Sequence, residues 1–291
     1  MDIRVLEYFV VAAQEGSITR AAELLHVSQP TVSRQLMELE EELGRKLFDR
    51  SKRSVTLTQE GLLFRESAQE ILTLYRKELS LRPQDGEELA GDLYLGSGEA
   101  SSFTYAAKKL DAFTRLHPKV RFHVISENGE RIFEDVEKGV LDVGLVIRQV
   151  NPALFEFYQL PLSERWGVLV PKDHPLAKKE SVGSTELKGE RLILPENYGF
   201  QQEMLLRLGP DLDKQVVGYS NLIYNSIALV KERAGVALCV WNNNIPRDEL
   251  SFIPLREFLR QPAYLVWKKR PLNTPLMEKF LEFMTSHSDS A

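Results

Sequence analysis

Cysteine is nearly absent from this 291-residue sequence, which holds only Cys239. One cysteine cannot close a disulfide within the chain and cannot build a structural zinc site, so the disulfide-rich secreted class and the zinc-finger class are both excluded. The residue is better explained as a small buried hydrophobe than as a nucleophile.

Long apolar runs are missing as well. No stretch approaches the roughly 18 apolar residues that are needed to span a bilayer. The first residues also lack the basic segment, followed by an apolar one, that marks a secretory signal. We therefore expect a cytoplasmic protein without membrane contact.

The chain also lacks an excess of positive charge, since its formal net charge is −5. A chain of this sign does not coat nucleic acid through its overall charge, so any contact with DNA must be local. The densest basic stretch, over residues 43–56, supplies a local candidate because Asp49 is its only acidic residue. Its basic residues are Arg45, Lys46, Arg50, Lys52 and Arg53.

Catalytic motifs are also lacking. The sequence contains no Gly-x-Ser-x-Gly elbow, no Cys-x-x-Cys pair and no His-Glu-x-x-His, and its five histidines are scattered. The run Gly96–Ser101 begins like a dinucleotide fingerprint, but serine replaces the third glycine. The acidic residue after the next strand, Glu127, also lies farther on than the roughly 20 residues of that fingerprint. We expect no enzyme activity, no cofactor and no metal site.

The composition that remains is that of an ordinary folded protein, with 43% hydrophobic and 27% charged residues. At about 100 to 200 residues per domain, the length predicts two domains. Near the N-terminus the apolar spacing predicts three helices over 3–13, 18–25 and 29–42. Ser17 and Ser28 stand where N-caps are expected. His26 and Val27, between the second and third helices, form a tight turn.

The third helix has two different faces. Its inward stripe is Val32, Leu36, Leu39 and Leu43, while small polar and guanidinium side chains lie on its other sides near the N-terminus. A short helix, a tight turn and a second helix of this kind form helix-turn-helix geometry. The alternative is an ordinary helical hairpin on the surface of an enzyme.

A small two-stranded wing is predicted next, because residues 46–50 lead into the alternating, β-branched run 54–58. Basic residues lie at its tip, where they would neutralise phosphates or enter a minor groove while the helix reads base edges in the major groove. The alternative is a solvated charged loop. The position directly after the candidate recognition helix favours the wing.

These residues resemble a known family. The run from Phe9 to Gly61 resembles the winged helix-turn-helix of LysR-type transcriptional regulators, most clearly in segments 16–22, 28–33, 39–40, 43–44, 47–50 and 57–61. The resemblance implies double-stranded DNA with dyad-related half-sites as a partner, and RNA polymerase is a candidate partner at the promoter. It also implies the DNA-reading side chains, which are Gln29, Pro30, Thr31, Ser33, Arg34, Arg50 and Arg53.

A connecting helix is predicted from Thr58 to about Leu81, followed by a polar hinge over 82–88. A lone helix cannot bury its apolar seam, so it either packs on its own domain or pairs with a second copy. Pairing is favoured, and the family resemblance implies the same: a homodimer through this helix, and commonly a homotetramer. The seam residues are Phe64, Ala68, Ile71, Tyr75 and Leu79.

From Gly91 onward strands and helices alternate, which predicts parallel strands with helices on the sheet faces. The predicted strands are 93–95, 120–125, 143–147, 166–170, 192–194, 216–219, 236–240 and 263–267, and the predicted helices are 106–116, 132–138, 222–232 and 275–285. Two α/β lobes with a cleft between their strand ends follow from this pattern. Residues 93–284 resemble the periplasmic-binding-protein-like effector domain of the same family. The fold is therefore predicted as α/β overall. It consists of a winged helix-turn-helix (1–58), a linker helix and hinge (59–90) and a bilobed effector domain (91–291). Lobe I of the effector domain covers about 91–160 and 265–291, and lobe II covers about 161–264.

Polar residues at strand ends are candidates for the lining of the cleft. They are Ser101, Ser102, Asn128, Arg148, Asn197, Asn221 and Trp241. Free amides and hydroxyls at a helix start, together with Arg148, favour an anionic effector such as a carboxylate or phosphate. The alternative is that Glu99 or Glu127 neutralises Arg148 internally. Glu130 and Arg131 are interpreted as solvated.

Together these features predict a sequence-specific DNA-binding transcriptional regulator. A small-molecule effector in the cleft would modulate how the oligomer is arranged on DNA, which requires different affinities for two arrangements. The alternative is a metabolic enzyme or a solute-binding protein that carries a helical appendage.

Overall fold

The computed structural model describes residues 2–49, 55–80, 89–258, 260–270 and 273–286. The predicted wing tip, over 50–54, and the predicted hinge, over 82–88, lie outside these ranges. The chain divides into two compact units, Met1–Pro83 and Gln84–Ala291.

The first unit combines four helices with a two-stranded antiparallel sheet, counted within the described residues. In chain order its elements are α1 (Ile3–Glu15), α2 (Ile18–Leu24), α3 (Gln29–Leu43), β1 (Phe48–Asp49), β2 (Thr56–Leu57) and α4 (Gln59–Ser80). Their order and approximate lengths agree with the helix-turn-helix, wing and connecting helix that the sequence predicts.

Local capping explains where these helices begin and end. The Ser17 Oγ accepts from the Arg20 N–H at 3.3 Å, so Ser17 caps α2 as predicted. The Ser28 Oγ accepts from the Thr31 N–H at 3.4 Å and caps α3 in the same way. Gly16 ends α1 at a φ of 60°, a left-handed conformation that glycine adopts without steric penalty.

The core of the first unit joins the helices to the wing. Phe9 of α1 is fully buried, and its ring centroid lies 5.3 Å from that of Phe48 on β1 and 5.0 Å from that of Phe64 on α4. Ala68 and Leu72, on the same side of α4, are buried in this core too. The first half of α4 therefore packs on its own unit.

This packing corrects part of the predicted dimer seam. Phe64 and Ala68 are buried within their own unit, because the apolar side of α1 covers the first half of α4. Ile71, Tyr75 and Leu79 remain 40%, 41% and 53% exposed. The seam thus divides into a half that is already covered and a half that is not.

The second unit contains two five-stranded sheets within the described residues. In chain order its elements are β3 (Ala90–Ser97), α5 (Phe103–Leu116), β4 (Lys119–Ser126), α6 (Gly129–Lys138), β5 (Val143–Val146), β6 (Phe155–Glu164), β7 (Trp166–Pro171), β8 (Leu192–Pro195), α7 (Tyr198–Leu208), β9 (Val216–Ser220), α8 (Ile223–Lys231), β10 (Val236–Val240), β11 (Leu250–Pro254), β12 (Gln261–Lys268) and α9 (Pro275–Thr285). Short 3-10 helices lie at Pro175–Lys178 and Pro210–Gln215.

The two sheets define two lobes. Lobe I has the strand order β4-β3-β5-β12-β6 and carries α5, α6 and α9, while lobe II has the order β11-β7-β10-β8-β9 and carries α7 and α8. The chain leaves lobe I between Glu164 and Trp166 and returns to it between Pro254 and Gln261. The expected boundaries at about 160 and 265 fall inside β6 and β12, and both strands belong to lobe I along their whole length.

The expectation of parallel strands is correct for only part of each sheet. β3 is parallel to β4 and β5, and β8 is parallel to β9 and β10. β12 is antiparallel to β5 and β6, and β7 is antiparallel to β10 and β11. These antiparallel pairings involve strands that enter their sheets directly, without the helical crossover that returns a strand in parallel.

Candidate functional sites

Helix α3 turns one side to the core and the other away from it. Its apolar stripe is buried in the core of the first unit. Gln29, Pro30 and Arg34 are exposed in its first turns, and Thr31 and Ser33 are half-buried beside them. The five predicted residues therefore surround one accessible helix end.

The polar side chains at this helix end differ in their local partners. The Thr31 Oγ1 lies 2.7 Å from the Ser28 Oγ, so it takes part in the N-cap. The Arg34 Nε lies 3.8 Å from a Glu38 carboxylate oxygen, and both side chains are more than half exposed. An exposed pair at this spacing contributes only about 0.3–0.5 kcal/mol. Arg34 can therefore leave Glu38 to reach another partner.

The base of the wing is held to α3 by a buried glutamate. Glu40 is 3% exposed, and its carboxylate accepts from the Leu47 N–H at 2.8 Å and from the Phe48 N–H at 3.0 Å. The same carboxylate lies 3.4 Å from the Lys46 Nζ. Because hydrogen bonds to a charged acceptor are stronger than neutral ones, Glu40 sets the direction in which β1 leaves α3.

The other end of the wing is fixed at the start of α4. The Thr58 Oγ1 donates to the Lys46 carbonyl oxygen at 2.7 Å and accepts from the Gly61 N–H at 3.0 Å, so Thr58 caps α4 as predicted. A Cβ at Gly61 would clash with the Leu47 carbonyl oxygen, so the close approach of α4 and the segment before β1 requires glycine.

Glu40 and Gly61 position the wing. Both lie in segments that carry the family resemblance, but the helix and strand patterns of the sequence give neither residue a role. The available signal at Glu40 is its place on the inward side of α3, four residues after Leu36. A charged residue on a core-facing stripe indicates a specific buried partner. Arg50 and Arg53, predicted at the wing tip, lie outside the described residues.

A cavity of about 670 Å³ lies between the two lobes of the second unit. Five of the predicted effector residues line it, namely Ser102, Asn128, Arg148, Asn197 and Asn221. Much of the remaining wall is apolar, with contributions from Ile132, Ile147, Trp166, Leu238 and Tyr264. The predicted cleft at the strand ends is therefore present.

Ser101 and Trp241 do not line this cavity, which corrects their assignment to it. The Ser101 Oγ donates to the Trp241 carbonyl oxygen at 3.0 Å, a contact that joins the two lobes. Both residues line a neighbouring cavity of about 460 Å³, together with Arg165 and Arg260. The serine lies just before α5, at a helix start as expected, but its hydroxyl is used in a contact between the lobes.

The start of α5, where the sequence predicts a position for an anion, is filled by a carboxylate of the chain itself. The Glu164 carboxylate accepts from the Ser102 N–H, and Glu164 is only 2% exposed. Burial raises the pKa of the Glu164 carboxyl, and the hydrogen bonds from Ser102 offset only part of this effect. The Ser102 N–H, which the sequence predicts as a donor to an anionic ligand, is therefore already bonded within the protein.

Two further helix starts are capped by carboxylates that reach across from the other lobe. Glu99 of lobe I accepts from the Ile223 N–H at the start of α8, at 2.6 Å. Glu130 of lobe I accepts from the Gly199 N–H in the first turn of α7, at 3.3 Å. Free amides and the helix dipole favour a carboxylate at such places. These contacts hold lobe I on lobe II.

Arg148 is paired within the wall of the cavity. Its Nη1 donates to the Glu130 Oε1 at 3.0 Å and reaches the Asn197 Oδ1 at 3.5 Å. The internal partner of Arg148 is thus Glu130, rather than Glu99 or Glu127 as the sequence suggests. The guanidinium links a carboxylate of lobe I to an amide of lobe II.

The interpretation as solvated holds for Arg131, which is exposed, but it is wrong for Glu130. Glu130 is half-buried and bonded on both sides of the cleft, and the Arg131 Nε lies 3.3 Å from the buried Asp135 Oδ1. The cause is the helix cap, because the Asn128 Oδ1 accepts from the Arg131 N–H at 3.0 Å. This cap begins α6 at the cleft and places Glu130 there.

Both units match models of known families. Residues 3–62 match the bacterial regulatory helix-turn-helix protein of the lysR family, and residues 86–289 match the LysR substrate binding domain. The chain belongs to the LysR family. These matches give no support to the alternative of a metabolic enzyme or a solute-binding protein with a helical appendage.

Relatives of this LysR-family chain include both sequences and a solved structure. It is 34% identical over 302 residues to the uncharacterized HTH-type transcriptional regulator YybE of Bacillus subtilis, with 99% of each chain covered. It is 32% identical over 198 residues to the hydrogen peroxide-inducible genes activator of Dickeya chrysanthemi, a match that spans 68% of this chain and 64% of that relative. The crystal structure of full-length CbnR complexed with its target DNA has the same fold, at 21% identity and a TM-score of 0.71, with 98% of this chain and 99% of that one covered.

The thiol of this LysR-family chain is not in a reactive state. Cys239 is 7% exposed, and burial raises the pKa of its thiol to about 12. A cysteine that reacts with peroxide needs an accessible thiolate, so Cys239 gives no support to the response that the Dickeya relative is named for. Among the described residues, histidine, cysteine and acidic side chains form no metal-binding group. Nor does any described helix have the length and apolar character to cross a membrane.

Proposed function

We propose that this LysR-family chain is a DNA-binding transcriptional regulator that acts as a homo-oligomer and responds to a small molecule in the cleft of its second unit. The observation that carries the proposal is the accessible end of α3, where Gln29, Pro30 and Arg34 are exposed while the opposite side of the helix is buried. A helix end of this kind fits the major groove of DNA.

The helix end and the wing have different roles on DNA. Residues at the helix end contact base edges, while residues of the wing contact phosphates or the minor groove. The first set is Gln29, Pro30, Thr31, Ser33 and Arg34, and the second is Arg50 and Arg53. A two-fold symmetric dimer presents two such helices, so its target is double-stranded DNA with dyad-related half-sites.

Dimerisation uses the exposed half of the seam on α4. Ile71, Tyr75 and Leu79 form an apolar stripe that its own unit leaves uncovered, and the same helix of a second copy can cover it. Phe64 and Ala68 support this stripe from the core. We place the linker and hinge at residues 59–90, between the winged domain at 1–58 and the effector domain at 91–291, and the oligomer is a dimer or a tetramer.

The ligand in the cleft acts by preferring one arrangement of the oligomer. Asn128 and Arg148 line the cavity from lobe I, and Asn197 and Asn221 line it from lobe II. A ligand held by both lobes is sensitive to their relative placement. It shifts the population only through a difference in its affinity for two arrangements.

A DNA target also sets the surroundings in which the protein works. We infer a cytoplasmic location from the DNA-binding role, because bacterial chromosomal DNA lies in that compartment. RNA polymerase is the candidate partner of a regulator that binds at a promoter.

Selection of sites from a randomised DNA pool by the full-length chain tests the DNA-binding role. We expect enrichment of an inverted repeat, and we expect Arg34→Ala to relax discrimination at one position of each half-site by about 1–3 kcal/mol, the usual value of one base contact. Arg115→Ala is the matched control, because Arg115 is an exposed arginine of the second unit that pairs with Asp111. If no motif is enriched, or if Arg34→Ala selects the same motif with the same preference at every position, the role given to α3 is contradicted.

A further inference from the structure

The charged side chains on the wall of the cleft cavity are mainly acidic. Within the described residues they are Glu99, Glu127, Glu203 and Arg148. Arg148 already lies 3.0 Å from the Glu130 carboxylate. The one cationic group on this part of the wall is therefore compensated before any ligand enters.

Two helix starts that would favour an anion, those of α5 and α8, are occupied as well. The Ser102 N–H at the start of α5 donates to Glu164, and the Ile223 N–H at the start of α8 donates to Glu99. These two helix starts, which would attract a carboxylate or phosphate, thus already hold a carboxylate of the chain, whereas the start of α6 is capped by the Asn128 amide oxygen. An anionic ligand would meet negative charge at both places.

Glu127 is the wall carboxylate that remains for a ligand. It directly follows β4 and is half-buried. Glu99 accepts from a helix amide and Glu203 lies 2.8 Å from the Arg207 guanidinium. The Glu127 side chain makes no hydrogen bond or ion pair with any residue that the structure describes. A carboxylate in this position gains most from a cationic N–H donor.

We propose that the effector is a small organic cation whose amine, amidine or guanidine nitrogen binds Glu127. This inference rests on the proposed role of the cavity as the effector site, which comes from the fold and the family and not from the acidic residues. The apolar body of the ligand lies against Ile132, Leu238 and Tyr264 on the wall. A cavity of about 670 Å³ is of the size usual for small-molecule sites. Opposite charges attract more strongly at a partly buried site than in water, and like charges repel more strongly there too.

Three probes of nearly the same shape separate the effect of charge from that of size. Benzamidine is a cation, benzamide is neutral and benzoate is an anion. Their dissociation constants are measured on the full-length chain by ligand-observed NMR at neutral pH. We expect benzamidine to bind at least about tenfold more tightly than benzoate, with benzamide between them.

A charge-neutral variant tests the place given to the cation. Glu127→Gln keeps the shape of the side chain, and we expect it to raise the dissociation constant of benzamidine at least about fivefold while that of benzamide is unchanged. Glu180→Gln is the matched control, because Glu180 is an exposed glutamate outside the cavity lining and its substitution removes the same charge. Thermal unfolding of both variants establishes that they are folded.

The possible results separate this inference from the proposed function. Benzoate binding as tightly as benzamidine overturns the cationic effector but leaves the cavity as a ligand site. An unchanged benzamidine constant in Glu127→Gln overturns the role of Glu127. Failure of all three probes to bind overturns the inference and removes support for the effector site, whereas selection of DNA sites still tests the regulator independently.

Discussion

At the scale of single residues, two buried glutamates differ in what surrounds their charge. Glu40 accepts two backbone hydrogen bonds and lies 3.4 Å from the Lys46 Nζ. Glu164 accepts from the Ser102 N–H, and burial raises the pKa of its carboxyl. Removal of the charge is therefore expected to have opposite effects at the two sites.

Replacement of Glu40 by alanine is expected to destabilise the first unit by about 3 kcal/mol. The N–H groups of Leu47 and Phe48 lose their acceptor, and each unsatisfied buried donor costs about 1–3 kcal/mol. Hydrogen exchange of peptides from α3 and β1, measured by mass spectrometry on the full-length chain, reports this loss. Glu41→Ala changes an exposed neighbour and is expected to stay within about 0.5 kcal/mol of wild type. Equal exchange rates in the two variants would be inconsistent with a clamp at Glu40.

Glu164→Gln is expected to raise the melting temperature of the second unit at neutral pH. A carboxyl whose pKa is higher in the folded than in the unfolded state destabilises the fold when it is ionised. That penalty is absent below the unfolded pKa and grows as the pH rises towards the folded pKa. The glutamine keeps an acceptor for the Ser102 N–H, so the advantage of the variant should shrink as the pH falls below the ordinary value of 4.5.

Tryptophan fluorescence follows this melting, because all three tryptophans of the chain lie in the second unit, at Trp166, Trp241 and Trp267. Glu180→Gln, at an exposed position, provides the baseline for removal of one negative charge. A difference in melting temperature that does not depend on pH would rule out ionisation of Glu164 as its cause.

Prediction of cleft residues from their position after a strand is correct for part of the cleft. It misses other residues for a physical reason. Asn128 and Arg148 line the cavity as predicted, and both follow strands whose apolar pattern is clear in the sequence. Glu164 and Glu203 belong to β6 and α7, which are not among the strands and helices that the sequence pattern predicts. Residues carried by an unrecognised element cannot be placed by this reasoning.

At the scale of elements, the helices of the first unit could be predicted because their signals are local. Ser17 and Ser28 cap helices through atoms three residues away. Strands β6 and β11 lie at the edges of their sheets, as the predicted strands β4 and β9 do, so an edge position does not separate the strands that the sequence predicts from those that it misses. The antiparallel direction of β7 and β12 depends on how the chain passes between the lobes. The residues near each strand do not determine that path, so the direction cannot be predicted from them.

Helix α4 changes its surroundings along its length. Phe64, Ala68 and Leu72, on one side of the helix, belong to the core, while Ile71, Leu74, Tyr75 and Leu79 are substantially exposed. The buried side chains fix the helix to its unit. The exposed half is therefore a rigid surface rather than a free helix that must be ordered when a partner binds, which reduces the entropy cost of association.

Ile71→Glu is expected to weaken the dimer by at least about tenfold. A buried side chain of this size contributes roughly 1.5–3 kcal/mol, and a desolvated carboxylate adds a further penalty. Sedimentation velocity of the full-length chain over a range of concentrations measures the effect. Gln69→Glu is the control, because it adds the same charge at an exposed position two residues away, on another side of the helix. Similar dissociation constants for the two variants would place the dimer contact elsewhere.

At the scale of the whole molecule, the two lobes of the second unit are interleaved along the chain. Lobe II is formed by the stretch from β7 to β11, and this stretch lies between two strands of lobe I, β6 and β12. Both crossings lie next to the cavity wall, which contains Trp166 after one crossing and Gln261 after the other. Movement of one lobe on the other therefore changes the cavity directly.

Strand β12 lies between β5 and β6 inside the sheet of lobe I, although it comes after all the strands of lobe II in the chain. The ribosome therefore completes the helices of the first unit roughly 190 residues before it completes β12, a delay of roughly 10 to 40 s at bacterial rates of about 5–20 residues per second. Until β12 is inserted, β5 and β6 are both unpaired on the sides that it will join. A chain whose translation stops within lobe II thus leaves the ribosome with the elements of its DNA-reading unit but without a finished cleft, and such a product would compete for operator sites without responding to the effector.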